Sequence, residues 1–302
     1  MTGIARTKRV FLDSCILKRL ARGEWPAEGR TLRTGIDRGD FVLVVTNDHI
    51  ADYGDCTAEG PAMREALYVD TLHPLWVACG DAVYHREAYS EYLRLTGGSP
   101  LPPPCPLSSP SEALLQWVGE CGYPKDLQVT VADLAARDRD VTFSGKLRGG
   151  FQGDLLGLPP GLSTRLQTRT EYADHRRRAR QQSLSGSEWD RQFRMRWVRW
   201  LTDAPAKPPD ADLHCLSAQV DFSRMPAWMA MIGVERTWYR SQTQSRPSDL
   251  TDMRHLALLP YVDVFVAEKN LVGVIEQAKV AGETFVYADI RDWLSSTLRP
   301  QC

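Results

Sequence analysis

Acidic residues stand directly after two apolar segments near opposite ends of the chain, where carboxylates can take part in chemistry. Asp13 follows "RVFL" and Glu268 follows "YVDVFVA". The carboxyl ends of parallel strands form the ligand-binding edge of an open α/β sheet, so acids at two strand ends can meet there. Asp13 also precedes Ser14 at the start of a helical pattern, where a short polar side chain can cap the helix instead. The sequence leaves capping and ligand binding equally open for Asp13.

Further acids are spaced so that they can join such a cluster. Asp52 lies one helical turn beyond Asp48 in "TNDHIADYG", and Asp249 and Asp252 stand three apart in "SDLTDMRHLALLP". Residues three or four apart share one face of a helix. Two carboxylates about 5 Å apart at an effective dielectric near 20 repel by about 3 kcal/mol, so the cluster needs a cation. Oxygen ligands favour Mg²⁺ or Mn²⁺, and the reaction best served by such a site is phosphodiester hydrolysis.

Several of these residues have simpler explanations. Asp249 and Asp252 stand in the first turn of a predicted helix, where acids complement the helix dipole. Asp263 interrupts a strand that otherwise reads as buried, so it either points into the site or pairs with a basic group such as Arg254. His255, one turn after Asp252, is expected to be an ordinary satisfied helix histidine rather than a contact to phosphate or water.

The apolar pattern predicts an α/β fold in which both ends of the chain build one parallel sheet flanked by helices. Predicted strands occupy 9–12, 41–45, 261–267 and 284–288. Predicted helices occupy 15–22, 61–71, 81–95, 111–120, 165–201, 248–260 and 270–282. The segments 97–110 and 144–161 have loop compositions rich in proline or glycine. We therefore expect a core made of 1–80 and 212–302, with a large, mostly helical insert at 81–211 that contacts substrate.

The acids resemble the pattern of the PIN domain ribonucleases, with an acid after the first strand, one on the helix after the second, an Asp opening a later helix and an acid ending the next strand. "VFLDSCIL" is similar to the first element, with Asp13 as its acid. "VVTNDHIADYG" places Asp52 where the family usually has Glu. "SDLTDMRHLALLPYVDVFVAEKNL" places Asp252 as the third acid and Glu268 where an Asp is usual. Cys15 departs from the polar residue that the family has two positions after the first acid.

The resemblance implies a metal-dependent endoribonuclease, and stand-alone PIN proteins in bacteria are often toxins or defence effectors. Asp13, Asp52, Asp252 and Glu268 would be catalytic and would hold one or two Mg²⁺ or Mn²⁺ ions. Asp249 and Asp263 are further candidate members of that metal site. Two alternatives stay open: a structure-specific DNA nuclease, and a PIN-like module that has lost catalysis and binds nucleic acid or a partner. The departures at Cys15 and Glu268 favour the second alternative.

Composition sets broad limits on the class of protein. The 302 residues are 43% hydrophobic and 25% charged, as in an ordinary folded domain, and the chain shows neither a membrane-spanning run nor a signal peptide. We therefore expect a cytoplasmic protein. The seven cysteines form no CxxC pair, which argues against a zinc ribbon and a disulfide framework. No P-loop, dinucleotide fingerprint, HExxH or GxSxG motif occurs.

Positive charge is local rather than global. The formal net charge is −1, but 165–200 contains ten Arg against four acids. Candidate nucleic-acid contacts are Arg176, Arg177, Arg178, Arg180 and Arg240. Trp189, Phe193, Trp197 and Trp200 recur at helical spacing, which is typical of a core-facing stripe rather than a base-stacking surface. The expected partners are RNA (tRNA or single-stranded RNA) and a second copy of the chain or a protein of a multi-component system, with no membrane.

Overall fold

A five-stranded sheet organises the chain, and all of its strands run parallel. The computed structural model describes residues 7–54, 59–120, 142–151, 185–203, 213–241 and 249–298. The strands are β1 (Lys8–Leu12), β2 (Phe41–Thr46), β3 (Leu75–Val77), β4 (Val264–Val266) and β5 (Phe285–Tyr287). They lie in the order β3-β2-β1-β4-β5. The predicted α/β fold, with one parallel sheet built from both ends of the chain, is confirmed.

Helices flank the sheet throughout the described residues. The first seven are α1 (Ser14–Ala21), α2 (Pro26–Asp37), α3 (Asn47–Gly54), α4 (Glu59–Asp70), α5 (Gly80–Leu95), α6 (Pro110–Glu120) and α7 (Phe143–Phe151). The remaining six are α8 (Gly186–Asp203), α9 (Leu213–Ser217), α10 (Pro226–Arg240), α11 (Asp249–Leu256), α12 (Lys269–Ala278) and α13 (Ile290–Leu298). Short 3₁₀ turns cover Phe222–Arg224 and Leu259–Tyr261. Among the helices of the described ranges, none combines the length and apolar character needed to cross a membrane.

Both faces of the sheet are buried, as the unbroken apolar runs of β2 and β4 predict. Val10 and Leu12 of β1 face one hydrophobic core, which also takes up apolar residues of α1 to α4, α6, α7 and α13. Phe11 faces the other core, which takes up residues of α5 and α8 to α12. Its ring stacks on that of Phe265, with centroids 4.7 Å apart. The sheet is therefore the middle layer, and its carboxyl edge is fixed by helices from both sides.

The described helices of the predicted insert share these cores with the sheet. α6 and α7 contribute Trp117 and Phe143 to the first core, and α5 and α8 contribute Tyr84 and Trp197 to the second. Phe193 and Trp197 are buried, which confirms the expected core-facing stripe of α8. The part of the predicted helix at 165–184 lies outside the described residues.

One prediction fails within the insert, because the glycine-rich segment beginning at 144 is helical up to Phe151. Asp70, far away in sequence, accepts hydrogen bonds from the amides of Phe143 (2.6 Å) and Ser144 (3.2 Å) and so caps α7. Phe143 and Leu147 are each only 1% exposed. Tertiary packing and a long-range cap therefore outweigh the low helix propensity of glycine.

Candidate metal centre

The candidate site lies at the carboxyl edge of the sheet, where the chain order reverses on either side of β1. β1 pairs with β2 on one side and with β4 on the other. The Asp13 amide donates to the Val266 carbonyl (2.9 Å), so the ends of β1 and β4 stay together up to their last residues. Open α/β sheets bind ligands in the crevice at such a reversal point. Asp13 follows β1 directly, and Glu268 lies two residues beyond the end of β4.

Both acids occupy helix N-cap positions without using their side chains as caps. Asp13 precedes α1 and Glu268 precedes α12, and neither carboxylate accepts a hydrogen bond from the helix backbone. Asp13 is buried, and its Oδ2 accepts instead from the Cys15 thiol at 3.5 Å. Capping does not account for the carboxylate of Asp13, and that of Glu268 is exposed at the same edge.

α3 brings Asp52 to this edge, and α1 holds it there. Ser14 Oγ donates to Asp52 Oδ2 at 3.0 Å. Lys18, one turn further along α1, donates from Nζ to the Asp52 carbonyl at 2.8 Å. The Asp52 side chain and the last turn of α3 are thus both tied to the helix that follows Asp13.

His255 completes the cluster, which contradicts its interpretation as an ordinary helix histidine. The side chain is 1% exposed, with Nδ1 3.4 Å from Asp13 Oδ1 and Nε2 3.7 Å from Asp52 Oδ2. Neither ring nitrogen has a hydrogen-bond partner in the described part of the chain. Potential ligand atoms of Asp13, Asp52 and His255 all lie within 4.8 Å of one another. The signal for His255 in the sequence was its position one turn after Asp252, on the same helix.

A second histidine supports the first. His49 Nδ1 accepts from the Thr46 amide (3.1 Å) and Nε2 lies 3.0 Å from the Leu12 carbonyl, which assigns the proton to Nε2. Burial, followed by the charge of His255, lowers the pKa of His49 to about 3. The two rings stack with centroids 4.8 Å apart. His49 is therefore a neutral ring, held by two backbone contacts, that stacks against His255.

The pKa values describe a site with surplus negative charge. Burial, and then the carboxylates of Asp13, Asp249 and Glu268, raise the pKa of Asp252 well above its ordinary value, against the opposing effect of His255. Burial acts against ionisation of His255, but Asp13 and Asp52 outweigh it and raise the pKa of His255 to about 9. For Asp13, burial is likewise outweighed by His255, so its pKa is lowered. Asp252 and Glu268 thus interact with the cluster.

The Cys15 thiol lies within the same field. Burial, and then the charges of Asp13, Glu268 and Asp252, raise its pKa, so the group stays a neutral thiol. The acids of the predicted site lie at one edge of the sheet, with Asp249 beside them. They are Asp13, Asp52, Asp252 and Glu268. Asp13, Asp52 and His255 fit a divalent cation, because they place potential ligand atoms of two carboxylates and one buried imidazole within 4.8 Å of one another, whereas Asp252 and Glu268 lie outside this group.

Asp263 is not part of this group. It precedes β4 and therefore lies at the amino end of that strand, opposite the cluster. Its Oδ2 accepts from the Arg9 amide at 2.7 Å and lies 3.7 Å from Arg9 Nε. The structure supports the alternative in which Asp263 is a structural contact, but its partner is Arg9 rather than Arg254.

Of the candidate nucleic-acid contacts, the structure describes one. Arg240 is exposed at the end of α10. Arg176, Arg177, Arg178 and Arg180 lie outside the described residues.

Comparison with known proteins finds no protein family, no curated protein and no solved structure that matches the chain.

Proposed function

We propose that this protein is a divalent-metal-dependent nuclease that hydrolyses RNA phosphodiester bonds. The observation that carries the proposal is the group of acids at the β1 and β4 ends, where burial, and then the neighbouring carboxylates, raise the pKa of Asp252. A folded chain that keeps such repulsion gains from a cation that relieves it. The resemblance to PIN domain ribonucleases supports the reaction class.

Asp13, Asp52, Asp252 and Glu268 would hold Mg²⁺ or Mn²⁺, which when bound polarises a phosphate and promotes attack by water. Ser14 orients the Asp52 carboxylate through its 3.0 Å hydrogen bond. Glu268 is exposed at the same edge of the sheet.

RNA is proposed as the substrate because of the PIN resemblance and the basic segment 165–200. Arg240, exposed at the end of α10, is a candidate contact to the phosphates of such a substrate. Arginine guanidinium groups bind phosphate oxygens in a fork geometry. DNA is the alternative that a substrate panel separates from RNA.

A second candidate function follows from His255. Its pKa of about 9 makes it a cation at neutral pH, so the cluster has an internal counter-charge of its own. That property favours the alternative of a PIN-like module that binds nucleic acid or a partner without cleaving. Such a module would bind RNA with the same affinity whether or not a divalent cation is present.

The test is digestion of tRNA, single-stranded RNA and DNA with Mg²⁺, Mn²⁺ or a chelator. We expect metal-dependent cleavage of RNA that Asp13→Asn lowers by at least about 100-fold, the scale of losing one electrostatic contact in an active site. The matched control is Asp263→Asn, because Asp263 flanks β4 at its opposite end.

Each outcome decides between the candidates. Cleavage that survives Asp13→Asn, or falls equally with Asp263→Asn, contradicts the assignment of the site. Preferential cleavage of DNA would mean that the substrate is DNA rather than RNA. RNA binding without turnover under any metal supports the binding module instead.

A further inference from the structure

His255 differs from the other histidine beside it in how its nitrogens are satisfied. Both nitrogens of His49 have backbone partners, Thr46 and Leu12. Both nitrogens of His255 are buried without a hydrogen bond in the described residues, and they face Asp13 and Asp52. Each nitrogen thus has a carboxylate within ion-pair distance but, among the described residues, no hydrogen bond of normal geometry. A metal ion bound by one of these nitrogens would take the place of the ring proton between the two carboxylates.

The surroundings of His255 orient the ring toward those carboxylates. His49 stacks on it, and the Phe11 ring lies edge-on with centroids 5.1 Å apart. The carboxylates are also oriented by neighbours, Asp52 by Ser14 and Asp13 by the Cys15 thiol. Outer partners that fix the direction of a ligand are typical of metal sites.

We propose that His255 binds the metal directly together with Asp13 and Asp52, and that this site prefers a divalent transition-metal ion to Mg²⁺. The geometric basis is that one potential ligand atom from each residue lies within 4.8 Å of the other two. The inference deepens the proposed function, on which it rests only for the use of the metal, since binding can be measured without cleavage.

The nitrogen donor decides the preference. Mg²⁺ takes oxygen ligands and keeps several waters, whereas imidazole suits Zn²⁺, Co²⁺ and Ni²⁺. The affinity of a mixed nitrogen and oxygen site rises from Mn²⁺ to Co²⁺, and Zn²⁺ also binds more tightly than Mn²⁺. Two carboxylates with one imidazole should therefore bind Co²⁺ and Zn²⁺ most tightly, Mn²⁺ less tightly and Mg²⁺ least.

The Cys15 thiol is assigned a supporting role. Its Sγ donates to Asp13 Oδ2, and it lies outside the described group of three mutually close donors. A metal bound by Asp13, Asp52 and His255 should therefore show no sulfur coordination. The absorption spectrum of a Co²⁺ complex therefore distinguishes this ligand set from one that includes Cys15.

The experiment is titration of the metal-free full chain with Co²⁺, followed by visible absorption, and with Zn²⁺, Mn²⁺ and Mg²⁺ by calorimetry. We expect visible d–d bands that saturate at one Co²⁺ per chain, without an intense near-ultraviolet thiolate band. Co²⁺ affinity should exceed Mg²⁺ affinity by at least about 100-fold, following the preference of imidazole for later metals. No nucleic acid is needed for this measurement.

Two variants test the role of His255. His255→Gln should lower Co²⁺ affinity by at least about 10-fold and leave Mg²⁺ affinity nearly unchanged. The matched control is His85→Gln, because His85 is a buried histidine on α5 that lies near Trp117 rather than the acids. Circular dichroism checks that each variant is folded. The wild-type ratio of Co²⁺ to Mg²⁺ affinity tests the proposal even if a variant does not fold.

Equal affinities for Co²⁺ and Mg²⁺, or a His255→Gln variant that binds Co²⁺ like wild type, overturn the inference. An intense thiolate band overturns the ligand set by adding Cys15. Binding of Co²⁺ that depends on His255, without cleavage of any nucleic acid, supports the inference and contradicts the proposed function. Metal-dependent cleavage of RNA, combined with Co²⁺ binding that His255→Gln leaves unchanged, supports the proposed function and contradicts the inference.

Discussion

Two charge clusters lie beside α11, and consecutive residues of that helix enter them. Arg254 enters the first, where its NH2 group lies 2.8 Å from Asp81 Oδ2 and its Nε lies 4.0 Å from Asp48 Oδ1. Asp48 also accepts from the Gly80 amide at 2.7 Å. His255 enters the second cluster, with Asp13 and Asp52. The two clusters share a helix but differ in charge balance.

In the first cluster, positive groups of the protein balance the negative charge of the carboxylates. A guanidinium and the N-terminus of α5 both face Asp48 and Asp81, so the carboxylates have fixed positive partners. Burial lowers the pKa of Arg254, but Asp81 and then Asp48 outweigh it and raise that pKa. Gly80 permits this packing, because a Cβ there would lie 2.1 Å from the Arg254 carbonyl oxygen.

The second cluster lacks that balance. One histidine faces Asp13 and Asp52, while burial, and then the charges of Asp13, Asp249 and Glu268, raise the pKa of Asp252. Neither burial nor the number of acids therefore distinguishes a structural cluster from a candidate site. The difference lies in whether the positive charge that the fold supplies balances the acids around it.

Removing the cation of the first cluster should give the largest effect. Arg254→Met leaves Asp48 and Asp81 without their guanidinium, and breaking such a buried pair costs about 3–5 kcal/mol of unfolding free energy. Urea denaturation measures it. Arg38→Met is the control, since Arg38 forms an exposed pair with Asp40, of a kind worth about 0–1 kcal/mol. Equal losses for the two variants would contradict the comparison.

Glu87 differs from the acids of both clusters, because it is a buried acid that is stabilised without a cation. It accepts from the amides of Ala227 (2.9 Å) and Trp228 (3.1 Å) and from the Tyr261 hydroxyl. Burial outweighs these hydrogen bonds and raises the pKa of Glu87 from 4.5 to about 7. Its protonation therefore stabilises the fold fully below pH 4.5, and that contribution is lost as the pH rises through about 7.

The measurement is unfolding free energy against pH for wild type and Glu87→Gln. Between pH 4.5 and 8 the wild type should lose about 3 kcal/mol relative to the variant, given the shift from 4.5 to about 7. The absolute stability of the variant is not the readout, since glutamine keeps one acceptor and loses the other. Parallel curves would show that the Glu87 carboxylate does not titrate in this range.

Neutralising an acid of the second cluster should have the opposite sign from Arg254→Met. Without metal at neutral pH, Asp252→Asn should stabilise the fold by about 1–3 kcal/mol, because it removes repulsion with neighbouring carboxylates. Adding a divalent cation should then stabilise wild type more than the variant. Thermal unfolding with chelator and with Mn²⁺ measures both effects. A destabilised Asp252→Asn variant in chelator would mean that this cluster is balanced too.

The smallest effect concerns the surface beyond the cluster. Arg240→Ala should lower the slope of log affinity against log salt for single-stranded RNA by about 0.7, the value for one phosphate contact. Arg30→Ala is the control, because Arg30 is likewise an exposed helix arginine but lies on α2. Filter binding over a salt series measures the slopes, and identical changes in the two variants would remove Arg240 from the interface.

Local sequence determined the strands and the acids that follow them. β1, β2 and β4 are apolar enough to be buried on both faces, so the positions of Asp13 and Glu268 at strand ends followed from the sequence. Predicted bounds were less accurate: the strand expected at 261–267 spans only Val264–Val266, after a 3₁₀ turn that contains Pro260. The sequence pattern did not predict α2, β3 or α10.

Tertiary structure decided the remainder, because the deciding contacts join distant parts of the chain. α7 is helical because Asp70 caps it and the core takes up Phe143, which glycine content cannot indicate. His255 became a candidate ligand only when β4 paired with β1 and placed α11 against Asp13 and Asp52, more than 200 positions earlier. The same packing places the neighbouring Arg254 against Asp48 and Asp81. Residues one position apart on a helix point about 100° apart, so only the packing around α11 determines which acids each one meets.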